Sequence, residues 1–81
     1  MPATPQEKHT AAAEREANAL AALESAAITY GQASRYLRNE PDRIEEARQI
    51  LTARAKAWTN AHHQTSRCAK HLREIQPATP A

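Results

Sequence analysis

The chain has 81 residues, which is enough for one small domain, and its basic residues exceed its acidic residues by only two charges. A single cysteine excludes an internal disulfide bond and fits a reducing compartment. Because no apolar run approaches the roughly 18 residues of a membrane span, and the N-terminus lacks the apolar core of a signal peptide, we expect a cytoplasmic protein.

Alanine dominates the composition. Nineteen residues are alanine, Gly31 is the one glycine, and Leu and Ile together number nine. Since alanine is the best helix former, the sequence predicts an all-α fold. So few large apolar side chains give a small core, and we therefore expect self-association or a partner. The excess of alanine and of Arg over Lys indicates a bacterial, phage or plasmid origin.

The first helix is predicted over residues 5–38. Thr4 is followed by Pro5 and Glu7, a sequence typical of a helix start, because the threonine hydroxyl can cap the helix and proline suits its first position. The apolar spacing continues through Gly31, so we predict no break there. Residues 1–4 are expected to form a frayed tail.

A turn is predicted at residues 39–41, where Asn39-Glu40-Pro41-Asp42 interrupts the helical pattern. Proline disfavours helix at the residue before it and suits the first turn of a new helix. The second helix is predicted over 41–75, and Pro77 ends it. The sequence thus predicts one domain over residues 5–76, followed by a frayed tail at 77–81.

Both helices carry apolar residues at the alternating three- and four-residue spacing of heptad repeats. In the first helix these positions are Ala13, Glu16, Leu20, Leu23, Ala27, Tyr30, Ser34 and Leu37. In the second they are Ile44, Ala47, Leu51, Arg54, Trp58, Ala61, Thr65, Cys68, Leu72 and Ile75. A short turn forces the helices to run antiparallel, and it then pairs residues whose numbers sum to 81, such as Leu23 with Trp58. We therefore predict an antiparallel helical hairpin with coiled-coil-like packing.

Beside this stripe the first helix places an alanine at every seventh residue, with further apolar residues on the same side of both helices. Small residues repeated at this spacing let helices approach closely, so we predict that this flank forms a homodimeric four-helix bundle. Two alternatives are that alanine is a surface filler and that a different protein covers the flank. The predicted interface comprises Ala12, Ala19, Ala22, Ala26, Ala33, Tyr36, Ile50, Ala53 and Ala57.

The second helix is basic, with no acidic residue between Glu46 and Glu74. Its candidate nucleic-acid-binding residues are Lys56, His63, Arg67, Lys70 and Arg73. A basic stripe can follow phosphates and bind them by releasing counterions. The alternative is an ordinary solvated helix face.

We expect neither a cofactor nor a small-molecule substrate. His9, Cys68 and His71 could converge on zinc, but their spacing matches no zinc signature, and a lone cysteine on a core stripe is usually a small hydrophobe. A two-helix hairpin offers no catalytic pocket. The sequence thus predicts a non-enzymatic adaptor or regulatory protein that binds itself and another protein. The alternative function is RNA or DNA binding by the basic stripe.

Overall fold

The computed structural model describes residues 2–75, which form two helices joined by a short turn. Helix α1 spans Pro5–Tyr36 and helix α2 spans Pro41–Ile75. The two pack against each other along their length, which confirms the predicted helical hairpin. The predicted C-terminal tail at 77–81 lies outside the described residues.

Helix α1 begins as the sequence predicts. The backbone N–H of Glu7 donates to Oγ1 of Thr4 at 3.1 Å, and Pro5 occupies the first helical position. The threonine cap therefore satisfies one of the N–H groups that a helix start leaves without a partner.

The turn starts earlier than predicted, because α1 ends at Tyr36 rather than at residue 38. Leu37 leaves the helical conformation with ψ near 36° while its N–H still donates to the Ala33 carbonyl at 2.9 Å. Its own carbonyl accepts from the N–H of Glu40. The Glu40 carbonyl in turn accepts from Arg43 and Ile44, so Glu40 caps the start of α2.

On the face of α1 that packs on α2, one of the two predicted rows of residues is replaced by the row that lies one residue earlier. Ala12, Ala26 and Ala33 are buried, whereas Leu20 and Ala27 are exposed. Glu16, Leu23, Tyr30 and Leu37, the other half of the predicted stripe, are half-buried as expected. The every-seventh alanines therefore belong to the hairpin's own contact. Small side chains there let the two helix axes approach closely, which a stripe containing Leu20 would prevent.

Helix α2 follows its predicted stripe more closely. Ala47 is buried, and the half-buried residues of this stripe are Ile44, Leu51, Trp58, Ala61, Thr65, Cys68 and Leu72. Two positions differ from the prediction: Arg54 and Ile75 are exposed. Ala55 is half-buried where Arg54 was expected to pack. The shift keeps the guanidinium in water, since burying it without a partner is costly.

A polar contact joins the two helices near their open end. Nδ1 of His62 lies 2.5 Å from Oε1 of Glu16, and the imidazole stacks on Trp58 with 5.2 Å between ring centroids. The predicted pairing placed Thr65 opposite Glu16, and His62 lies one helical turn before Thr65. This contact was not predicted from the sequence.

The molecule is a single layer of two helices, measuring 63 × 32 × 13 Å. Within residues 2–75 the buried side chains are four alanines, Ala12, Ala26, Ala33 and Ala47, and no large side chain is fully buried. Neither of these helices is long and apolar enough to cross a membrane. Most of the large apolar side chains thus keep part of their surface in water.

Candidate protein-binding surface

One broad face of the hairpin carries a groove between the two helices, called here the apolar groove. Its first section is lined by Ala22, Ser25, Ala26, Thr29, Ala47, Ile50 and Arg54. Its second section continues toward the turn and adds Ala33, Leu37, Arg43 and Glu46. From Ala22 to Leu37 the groove follows α1 for about 22 Å at 1.5 Å per residue.

Ile50 is the large apolar residue at the centre of this groove, and it lines both sections. Its side chain is 46% exposed, while the alanines beneath it, Ala26, Ala33 and Ala47, are buried. The groove therefore combines a floor of small side chains with a projecting isoleucine. A second helix can approach such a surface closely and cover the isoleucine.

The residues of the predicted interface lie in different parts of the structure. Ala22 and Ile50 line the apolar groove, with Ala26 and Ala33 as its floor. Ala12 is buried and Ala19 is half-buried, whereas Ala53 and Ala57 are exposed on α2. Tyr36 lies beside Ile28 on α1, outside the groove. Burial of Ala12, Ala26 and Ala33 against α2 corrects the idea that the whole alanine stripe is a free flank.

Two charged residues stand at equal distances from the centre of the groove. Glu46 precedes Ile50 by four residues and Arg54 follows it by four. Both side chains are exposed, and neither forms an ion pair with another residue in the part of the chain that the structure describes. The sequence alone did not place Glu46 and Arg54 on one surface.

The predicted nucleic-acid-binding residues, called here the basic ridge, are all exposed on α2: Lys56, His63, Arg67, Lys70 and Arg73. Lys56, His63 and Lys70 recur every seventh residue and so lie on one side of the helix. Lys56 borders a shallow depression with Thr52, Ala55, Thr59 and Asn60, away from the lining of the apolar groove.

Arg48 is also basic, but it already forms an ion pair with Glu45. Its guanidinium donates two hydrogen bonds to the Glu45 carboxylate, at 2.9 and 2.6 Å. Hydrogen bonding from Arg48 lowers the pKa of Glu45 below its usual value. By contrast, across residues 2–75 none of the ridge cations lies within ion-pair distance of an acidic side chain.

The histidines and the cysteine do not form a cluster. Over residues 2–75 no three His, Cys, Asp or Glu side chains come together in a way that could hold a metal ion. His62 contacts Glu16 and Trp58, and Cys68 is half-buried on the contact face of α2.

Comparison of the chain with protein-family models, with curated proteins and with solved structures gave no significant match. The evidence for a function of the apolar groove and of the basic ridge is therefore the chemistry of their own residues.

Proposed function

We propose that this protein acts by protein–protein binding, without catalysis, and that its first partner is a second copy of itself seated on the apolar groove. The observation that carries the proposal is the exposure of Ile50 at the centre of the groove, on a layer one helix thick. Its side chain is 46% exposed although it lies above the buried alanines between the two helices. Packing a second layer on the groove face gives a four-helix bundle.

The size of the face is sufficient for such a contact. Helix α2 extends about 52 Å at 1.5 Å per residue, and two adjacent helices of about 10 Å diameter give a face of about 1,000 Å², against the roughly 800 Å² that each partner of a standard interface contributes. Burial of apolar surface is worth about 25 cal/mol per Å². The contact covers Ile50, which the single hairpin leaves 46% exposed at the centre of the groove.

The charges at the groove favour a second copy over an unrelated partner. A two-fold axis perpendicular to the helices and passing near Ile50 sets α2 antiparallel on α2 of the other copy. Since Glu46 and Arg54 are each four residues from Ile50, the axis brings Glu46 of one copy to Arg54 of the other. The same pair forms twice, as a closed two-fold interface requires. Each charge thereby gains the partner that it lacks among residues 2–75 of its own chain.

A charge swap tests this arrangement. Arg54→Glu places two acids together at both ends of the contact and should weaken the dimer about tenfold or more. Glu46→Arg should do the same with two bases. The double variant Arg54→Glu/Glu46→Arg restores opposite charges and should recover most of the wild-type dimer affinity, because only the pair's polarity has changed.

Sedimentation equilibrium measures the dissociation constants of all four proteins. Circular dichroism should show equal helix content, since both residues are exposed. Additive losses in the double variant, with no recovery, would contradict the proposed two-fold contact.

A further inference from the structure

The basic ridge is a second surface of this molecule, separate from the apolar groove. We propose that the ridge binds the phosphate backbone of a nucleic-acid duplex. Lys56 and Arg73 are seventeen residues apart, so the ridge extends about 26 Å along α2 at 1.5 Å per residue. A duplex carries one negative charge per roughly 1.7 Å of its axis. Several phosphates thus lie within reach of one helix.

The cations of the ridge are available for an external ligand. Lys56, Arg67, Lys70 and Arg73 are exposed, and none has an acidic partner among residues 2–75. Two bases near the turn are occupied: Arg43 pairs with Glu40, and Arg48 pairs with Glu45. Because α2 has no acidic residue between Glu46 and Glu74, its C-terminal part is locally basic, although the net charge of the chain is only +2.

The neighbours of these cations select the class of ligand. Asn60 and Ser66 are exposed polar residues on the same helix and can hydrogen-bond to phosphate or sugar oxygens. An anionic membrane requires large apolar side chains beside the cations, and the stretch from Lys56 to Lys70 has only Trp58, which stacks on His62 at the interhelical side. The ridge has no Phe, Tyr or Trp to stack on unpaired bases, and its one ring is the imidazole of His63. Duplex backbone fits the ridge better than either.

Matched neutralisations test the ridge. The ridge variant is Lys56→Gln/Arg67→Gln/Lys70→Gln, and the control variant is Lys8→Gln/Arg15→Gln/Arg35→Gln. All six residues are exposed and helical, and both variants lose three positive charges. A third protein, Lys56→Arg/Lys70→Arg, retains the ridge charge. Fluorescence anisotropy with labelled RNA and DNA duplexes of about 20 base pairs measures binding at 50 and 200 mM salt.

We expect each Lys and Arg of the ridge to contact one phosphate, which gives four contacts. The wild-type affinity should then fall about 150-fold between the two salt concentrations. The ridge variant, with Arg73 left, should bind weakly and fall only about 3-fold. The control variant and the arginine variant should keep the steep salt dependence.

Three results would overturn the proposal: equal loss of binding in the ridge and control variants, no duplex binding by the wild type at 50 mM salt, or binding to phosphatidylserine vesicles in preference to duplex. Because the ridge and the apolar groove share no residue, the charge-swap variants of Glu46 and Arg54 report separately on dimerisation.

Discussion

At the scale of single residues, the buried side chains among residues 2–75 are alanines, while larger apolar residues such as Leu23 and Trp58 are half-buried beside them. Ala12 is 2% exposed and lies outside the apolar groove, so its environment is the α1–α2 contact alone. This alanine was not predicted to face α2. Its burial makes the close approach of the two helices dependent on the absence of a larger side chain.

Ala12→Leu should destabilise the protein by about 1–3 kcal/mol, because the larger side chain overpacks a close helix contact. Ala17 is exposed on the same helix, and Ala17→Leu should change stability by less than about 0.5 kcal/mol. Urea unfolding at one fixed protein concentration measures both. Equal effects would show that Ala12 does not face α2.

The contact between Glu16 and His62 is the polar link between the helices. His62 is half exposed and Glu16 is less so, and partly exposed pairs of this kind contribute about 0.2–1 kcal/mol. A double-mutant cycle with Glu16→Gln and His62→Gln should give a coupling energy in that range, measured by urea unfolding near pH 6. A coupling energy indistinguishable from zero would mean that the contact adds nothing to stability.

At the scale of helices, local sequence chemistry predicted most of what is observed. The Thr4 cap and the start of α2 at Pro41 follow from local capping and proline rules. The end of α1 was two residues off, because the hydrogen bonds of Leu37 and Glu40 belong to the turn as a whole. Two adjacent stripes of α1 were both apolar and both repeated every seventh residue, so periodicity alone could not decide which one faces α2.

Two exposed isoleucines, one inside the apolar groove and one outside it, allow a matched test of the dimer contact. Ile50 lies in the apolar groove, whereas Ile28 is 63% exposed beside Tyr36 and lies outside it. Ile50→Glu should abolish any rise of the thermal midpoint with protein concentration, because it buries a charge in the dimer contact. Ile28→Glu should preserve that rise.

Both substitutions replace an exposed isoleucine in the middle of a long helix with the same residue, so differences in helix propensity largely cancel. If both variants lose the concentration dependence equally, the apolar groove is not the specific dimer contact, or both substitutions disrupt the fold.

At the scale of the whole molecule, the candidate surfaces were predictable only in part. The basic ridge could be found from the sequence, because burying unpaired cations is costly and the side of α2 that carries them therefore stays exposed. The apolar groove was only partly found: Ala22 and Ile50 were predicted, but Glu46 and Arg54 were not. Their position on one surface depends on how α2 is rotated against α1, which the sequence left open.

In the proposed dimer, one hairpin is half of the working molecule. The wild-type protein in sedimentation equilibrium measures this directly, across a hundredfold range of concentration. A dimer predicts a mass approaching twice the 9.0 kDa of one chain at the upper concentrations, falling toward the single-chain mass on dilution. A mass that stays at 9.0 kDa throughout, with the helix content intact, would contradict the claim.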